Sequence, residues 1–148
     1  MVVDDRLTLR EARDRFFAES NLGTDGGYAA RWVKVEAKPF PFYFPNTRGR
    51  VRAARLHDLH HIATGYGVDW PGEIEIAAYE LAAGCGRYWW AWFLDAGALT
   101  VGLFLAPRRA LRAYNRGRRA KSLYTLGFDE QALDTTTVGG LRAALGLT

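Results

Sequence analysis

Residues 55 to 73 constrain the fold more than any other stretch of this 148-residue chain. They hold all three histidines, and His57 and His61 are spaced so that both imidazoles lie on one face of a helix. The glycines and the proline in residues 65 to 72 end that helix, and Glu73 opens the next segment. Two consecutive helices can therefore bring two imidazoles and one or two carboxylates together, which is a donor set suited to a divalent metal ion.

This donor set has more than one interpretation. His57, His61 and Glu73 match the two-histidine, one-carboxylate face of non-haem iron sites. Asp58 is then either a fourth ligand or a group that orients a histidine. The spacing is also related to the His-Glu-x-x-His motif of zinc proteases, but an aspartate lies further from a metal-bound water, which argues against a protease. An ordinary polar helix face is the remaining alternative to a metal site. On a regular helix His60 points about 100° away from His61, so we do not expect it to be a ligand.

The motif His57-Asp58-x-x-His61-(x11)-Glu73 resembles the metal-ligand signature of the ubiquinone (coenzyme Q) biosynthesis family of the fourth Coq protein. The basic segment of residues 116 to 123 is similar to that family's Arg-Gly segment, and the resemblance covers roughly residues 50 to 147. The metal ligands that the resemblance implies are His57, Asp58, His61 and Glu73. It also implies a distant, compact bacterial-type member of the family, with a role in ubiquinone or related prenyl-quinone metabolism.

The resemblance leaves two functions open. One is a metal-dependent enzyme that carries out the oxidative decarboxylation of a prenylated aromatic precursor at ring carbon 1. The other is a non-catalytic scaffold that binds a lipid or isoprenoid and holds a structural metal. Zinc is the first choice of ion, and iron(II) and manganese also suit two nitrogens with up to two carboxylates. A small domain that keeps only the metal-binding helix pair is a third interpretation, and a homo-oligomer is compatible with all three.

Composition predicts a single domain that spans residues 1–148, because the chain is short and 49% hydrophobic. With Cys85 as its one cysteine, the chain forms no internal disulfide, which suits a reducing cytoplasm. The N-terminal residues lack a signal-peptide pattern. The longest uncharged stretch, residues 96 to 107, is too short for a membrane-spanning helix of about 20 residues. We expect a cytoplasmic protein, with a peripheral position on the inner face of the membrane as the alternative.

Helical periodicity predicts a mainly α fold, a compact bundle of about six helices. Start signals lie at Thr8, Asp69, Pro107 and near Thr136 or Thr137. Residues 31–45 alternate with period two, and their prolines place the second strand at an edge, so this region predicts a short β-hairpin. Glu80 lies two turns beyond Glu73 on the same helical face, where it either contacts the metal site or faces solvent.

Arginines make the start of the helix at residues 50 to 64 basic. They are Arg48, Arg50, Arg52 and Arg55. A positive charge opposes the helix dipole at an N-terminus, so an anionic segment or ligand would compensate for it. A solvated basic face is the alternative.

Residues 88 to 106 form the most hydrophobic stretch and predict a central buried helix. Trp89, Trp90 and Trp92 either belong to the core or line a tunnel for a prenyl-quinone or other lipid-like molecule. The helix that follows, residues 107 to 121, is strongly basic. Its predicted cofactor-binding residues, which would lie near a lipid head group, are Arg112, Arg116 and Arg119. This helix could also bind phosphate or an acidic membrane surface, whereas no nucleic-acid fold signature accompanies it.

Overall fold

A computed structural model describes residues 2–35 and 42–147 of the chain. Within these ranges the fold is mainly helical, with seven α-helices and one two-stranded hairpin, as the sequence predicts. The helices are α1 (Leu9–Glu19), α2 (Arg48–Thr64), α3 (Trp70–Ala83), α4 (Trp89–Leu105), α5 (Pro107–Gly117), α6 (Leu123–Leu126) and α7 (Val138–Leu145). The strands are β1 (Trp32–Val35) and β2 (Phe42–Pro45), and a 3-10 helix spans Glu130–Asp134. The sequence does not predict α6, because a single turn carries no helical periodicity.

The predicted cap residues begin the observed helices. The Thr8 hydroxyl accepts a hydrogen bond from the Glu11 amide at 3.2 Å, and the Glu11 carboxylate accepts one from the Thr8 amide at 2.9 Å. The Asp69 carboxylate caps α3 by accepting a hydrogen bond from the Gly72 amide at 3.2 Å, and Glu73 lies in the first turn of that helix. Gly65 ends α2 in the left-handed conformation, with a φ of 80°. Local interactions therefore define both ends of the turn that connects α2 to α3.

The paired strands confirm the predicted hairpin. β1 and β2 are antiparallel, with Val33 opposite Phe44. Residues 36–41, which include part of the alternating pattern, lie outside the described residues. The Phe44 ring stacks on Trp90 with their centroids 5.4 Å apart, so the hairpin lies against the start of α4.

Helix α3 occupies the central position of the bundle. Its buried face includes Ile74 and Tyr79, and its most extensive contacts are with α4 and α5. Two glycines permit these close approaches. A Cβ atom at Gly117 of α5 would collide with the carbonyl oxygen of Tyr79, and one at Gly102 of α4 would collide with the side chain of Ile74. The small residues of α4 and α5 therefore fix how closely these helices pack on α3.

The prediction that residues 88 to 106 form a central buried helix is wrong. Only Ala91, Asp95 and Gly102 of α4 are buried. Trp89 is 60% exposed, Phe93 63% and Phe104 84%. The hydropathy of a segment measures how strongly it favours burial, but not whether neighbouring helices cover it, and α4 packs on α3 along one side only. Within residues 2–35 and 42–147, no helix combines the length and the apolar character needed to cross a bilayer.

Candidate metal centre

Helices α2 and α3 bring three of the predicted metal ligands together. His57 and His61 project from α2, and Glu73 projects from the first turn of α3. The Nε2 atoms of the two histidines are 3.1 Å apart, and each lies 3.5 Å from a carboxylate oxygen of Glu73. One donor atom from each residue lies within 4.8 Å of the others. The α2–α3 turn thus produces the cluster that the sequence spacing predicts, while its occupation by a metal stays a prediction.

Hydrogen bonds to the other ring nitrogens set the orientation of both imidazoles. His61 Nδ1 lies 3.1 Å from the Tyr66 carbonyl oxygen, and His57 Nδ1 lies 3.0 Å from a carboxylate oxygen of Glu80. Since a carbonyl and a carboxylate only accept hydrogen bonds, each Nδ1 carries the proton. In the neutral imidazoles the Nε2 lone pairs then point toward each other and toward Glu73. Histidines that bind metals are commonly oriented by such a bond on the second nitrogen.

Glu80 is the buried acceptor that supports this arrangement, and its side chain has no solvent exposure. One oxygen accepts from His57, and the other lies 2.6 Å from His60 Nδ1. The Tyr124 hydroxyl also donates to Glu80 at 3.3 Å. His60 Nε2 accepts from the Leu123 amide at 2.9 Å, so both of its ring nitrogens are already bonded within the fold. The sequence places Glu80 either in contact with the metal site or facing solvent, and the structure shows the contact.

The fourth predicted ligand, Asp58, lies beside the cluster with its carboxylate directed elsewhere. It accepts a short hydrogen bond from the Tyr28 hydroxyl. Burial raises the pKa of the Asp58 carboxyl above its ordinary value, although the charge of His57 and the bond from Tyr28 oppose that shift. The geometry therefore gives Asp58 a contact with Tyr28, and its role as a ligand stays a prediction.

When no metal is bound, electrostatic interactions favour protonation of His57 over protonation of His61. Burial lowers the pKa of His57, but the charges and hydrogen bonds of Glu80 and Glu73 raise it well above its ordinary value. Burial and the nearby charge of His57 lower the pKa of His61 to about 4. Burial raises the pKa of Glu73, but His57 and His61 bring it below its ordinary value. A proton on His57 is thus held between ionised carboxylates, at the position where the predicted metal ion would lie.

A second group of donor atoms shares His57 and includes Glu80 and Asp95. Burial and the charge of Glu80 raise the pKa of Asp95 far above its ordinary value, so Asp95 is protonated at neutral pH. A neutral carboxyl group is a poor metal ligand. We therefore read this second group as a hydrogen-bonded support behind His57. Asp95 is not predicted from the sequence as part of the site, although a single charged residue in the apolar helix α4 could have indicated a buried polar contact.

Space for a ligand lies on two sides of the cluster. An inner cavity of about 200 Å³ is lined by His57, Glu73 and Asp95, and by the apolar residues Phe44 and Trp90 among others. An outer cavity of about 360 Å³ is lined by all four predicted ligands and by Arg50 among others. Because both cavities reach the donor side chains, the arrangement matches an open centre more closely than a closed structural site.

The predicted cofactor-binding arginines lie away from these cavities or have structural contacts. Arg116 donates to the Thr64 carbonyl at 2.9 Å and lies over the Tyr66 ring at 5.4 Å, so it ties α5 to the end of α2. Arg112 and Arg119 are exposed. Their proximity to a lipid head group stays a prediction. Trp90 lines the inner cavity, whereas Trp89 and Trp92 are exposed on α4 and line neither the inner nor the outer cavity.

Comparison of the chain with protein-family models, with curated proteins and with solved structures gives no match. The geometry of the candidate metal centre and its surroundings is therefore the basis for assigning a function.

Proposed function

We propose that this chain is a metal-dependent protein of ubiquinone or related prenyl-quinone metabolism. The observation that carries the proposal is the orientation of two imidazoles by acceptors on Nδ1, which directs both Nε2 atoms at the carboxylate of Glu73. Two nitrogens and one oxygen are chemically acceptable to zinc, iron(II) and manganese. The bound ion would supply activation of dioxygen or polarisation of a substrate carboxylate.

The reaction that fits the site best is oxidative decarboxylation of a substituted aromatic acid. The carboxyl group leaves as carbon dioxide and a hydroxyl group takes its place on the ring. Dioxygen supplies that oxygen atom, and its second atom becomes water with two protons and two electrons from an external reductant. Since zinc has no redox chemistry, this reaction favours iron or manganese, while zinc, the first choice from the ligand set alone, favours the scaffold function.

Side chains around the inner cavity support an aromatic substrate. Phe44 and Trp90 are stacked at its wall, and a substrate ring can pack against such faces. Arg50 lines both the inner and the outer cavity and is only partly exposed. Its guanidinium group donates to the Asn46 side-chain oxygen at 3.0 Å, which positions it beside the metal centre. We assign Arg50 the binding of the substrate carboxylate.

An activity assay tests the enzyme function. Protein loaded with iron(II), manganese or zinc is incubated with a carboxyl-labelled prenylated hydroxybenzoate, dioxygen and ascorbate, and labelled carbon dioxide and hydroxylated product are measured. We expect product with iron or manganese only. Arg50→Gln should raise KM by about tenfold or more because a charge-assisted hydrogen bond is lost, while Arg48→Gln in the exposed first turn of α2 should leave KM unchanged. Absence of product with every ion, despite stoichiometric metal, would favour the scaffold.

The exposed surface of α4 favours a second function, docking on a membrane. We name this surface the α4 apolar face; its residues are Trp89, Trp92, Phe93, Val101, Leu103, Phe104 and Leu105. The one charged residue of α4, Asp95, is buried, so the face presents no charge to solvent. Helix α5 follows α4 directly in the chain and carries exposed arginines, including Arg108 and Arg112. Apolar side chains beside cations are typical of helices that lie in the interface of an anionic bilayer.

Vesicle sedimentation tests this docking. We expect binding to vesicles that contain phosphatidylglycerol and weaker binding to phosphatidylcholine alone, with salt reducing the difference. Phe93→Asp and Phe104→Asp should each lower the partition coefficient by about tenfold or more, because a buried Phe side chain contributes about 1.5–3 kcal/mol. Val2→Asp, at a fully exposed position outside α4, is the matched control. Equal binding by all three variants and the wild type would rule out the α4 apolar face as the docking surface.

A further inference from the structure

We propose that a cavity bounded by α1, α2 and residues 127–133 binds a small phosphate monoester whose body is an apolar ring. The cavity has a volume of about 360 Å³, which is in the range of sites for small molecules. Four arginines line it: Arg13, Arg52, Arg55 and Arg87. We call it the arginine cavity. The side chains of the metal centre do not line it, so it is a second site, independent of the proposed function.

The arginine cavity carries more positive charge than its own carboxylates neutralise. Its two acidic residues are already engaged, because Glu130 pairs with Arg55 and Asp129 accepts a hydrogen bond from a backbone amide of the 3-10 helix. Within the described part of the chain, neither Arg52 nor Arg87 forms an ion pair with a carboxylate. These two guanidinium groups come from different segments, the first turns of α2 and the connection before α4. Both groups line the same cavity, which is where an oxyanion would bind.

A buried donor adds to this demand for an acceptor. Arg13 Nε is buried, and no hydrogen-bond partner reaches it from residues 2–35 and 42–147. Its terminal nitrogen contacts Asp14 at 3.4 Å, a long contact with a largely exposed carboxylate. A buried N–H group without an acceptor costs about 1–3 kcal/mol. The protein itself covers this N–H group, so a ligand oxygen in the arginine cavity reaches it only if the Arg13 side chain rotates.

The chemistry of the lining selects the class of ligand. Guanidinium groups match the oxygens of phosphate in paired hydrogen bonds, and several of them favour a dianion over a monoanion. Leu56, Leu59 and Leu133 are buried at the same cavity, and the partly buried aromatic residues Tyr88 and Phe128 also line it. These side chains suit a ring-sized apolar body attached to the phosphate. The anion also compensates for the basic first turns of α2, whose charges oppose the helix dipole.

Calorimetric titration with phenyl phosphate, inorganic phosphate and benzoate tests the proposal. We expect phenyl phosphate to bind most tightly, because inorganic phosphate lacks the ring and benzoate carries a single charge. The double variant Arg52→Gln/Arg87→Gln should weaken phenyl phosphate by about tenfold or more. Its matched control is Arg15→Gln/Arg48→Gln, which removes the same charge at exposed positions outside the cavity lining and should bind as the wild type does.

Several results would overturn this assignment. Absence of saturable phenyl phosphate binding would remove the site, and equal losses in the test and control variants would reduce it to a general charge effect. Tighter binding of benzoate than of phenyl phosphate would exclude a phosphate site. A loss of phenyl phosphate binding in His61→Ala would place the ligand at the metal centre instead, whereas retention in that variant supports a separate cavity.

Discussion

Replacing His61 by alanine is expected to remove the metal from the purified protein, and Glu73→Ala should do the same. The wild type should carry about one equivalent of metal. Loss of a group that merely orients a ligand typically lowers metal affinity 10- to 100-fold, so loss of one of three donors should lower it by more than about 100-fold. Elemental analysis after dialysis against a chelator measures this directly.

Two further variants sharpen this result. Glu75→Ala removes a carboxylate from the same helix, but this carboxylate pairs with Arg109 at 2.7 Å, so the metal should be retained. Asp58→Asn decides between the two roles of that residue: metal loss equal to that of Glu73→Ala identifies a ligand, and retention identifies a partner of Tyr28. If the wild type contains no metal and added zinc changes neither its melting temperature nor its histidine NMR signals, the prediction that these residues bind a metal is wrong.

The pH dependence of the same centre follows from the raised pKa of His57. A proton on His57 stabilises the metal-free fold below the ordinary imidazole value of about 6.5, and this contribution is lost as pH rises through the raised folded-state pKa. Metal binding must displace this proton. Metal affinity should therefore fall as pH decreases and should continue to rise above neutrality.

Glu80→Ala is expected to give the largest loss of stability, about 3–5 kcal/mol in the free energy of unfolding. Alanine leaves the Nδ1–H donors of His57 and His60 without their acceptor, and the Tyr124 hydroxyl keeps only its bond to the Ala53 carbonyl. Since small domains are stable by only about 5–15 kcal/mol, a large part of the total would be lost. Urea denaturation followed by circular dichroism measures the change.

Glu80→Gln is the informative companion, because it retains one carbonyl oxygen but turns an amide donor toward a donor of His57 or His60. We expect it to fall between alanine and the wild type. Glu19→Ala, at an exposed position near the end of α1, should change stability by less than about 0.5 kcal/mol. A loss for Glu80→Ala no greater than for Glu19→Ala would show that Glu80 does not hold this network together.

Features set by neighbouring residues were predictable from the sequence. The capping box of Thr8, the cap at Asp69 and the paired strands of the hairpin depend on interactions within a few residues or on a simple alternating pattern. The approach of His57 and His61 follows from helix geometry in the same way.

Features set by distant residues were not predictable. Glu80 accepts hydrogen bonds from His60 and Tyr124, which belong to other helices, and no local pattern records that pairing. The burial of α4 depends on which helices cover it, so its high hydropathy led to the wrong prediction that it is the central buried helix. A charged residue in an apolar helix is unusual, but the sequence does not show that Asp95 is buried and accepts a hydrogen bond from Cys85, because that contact depends on the fold.

The short α2–α3 turn also has a consequence for the order of assembly. The entropy lost on closing a loop grows with the logarithm of its length, so donors on consecutive helices meet at low entropic cost. By contrast, the bridge between Thr8 and Thr137 joins opposite ends of the chain. A nascent chain that has emerged as far as the end of α3 already contains His57, His61 and Glu73. The predicted metal centre therefore depends on contacts of short sequence separation, and it can form before the bundle closes.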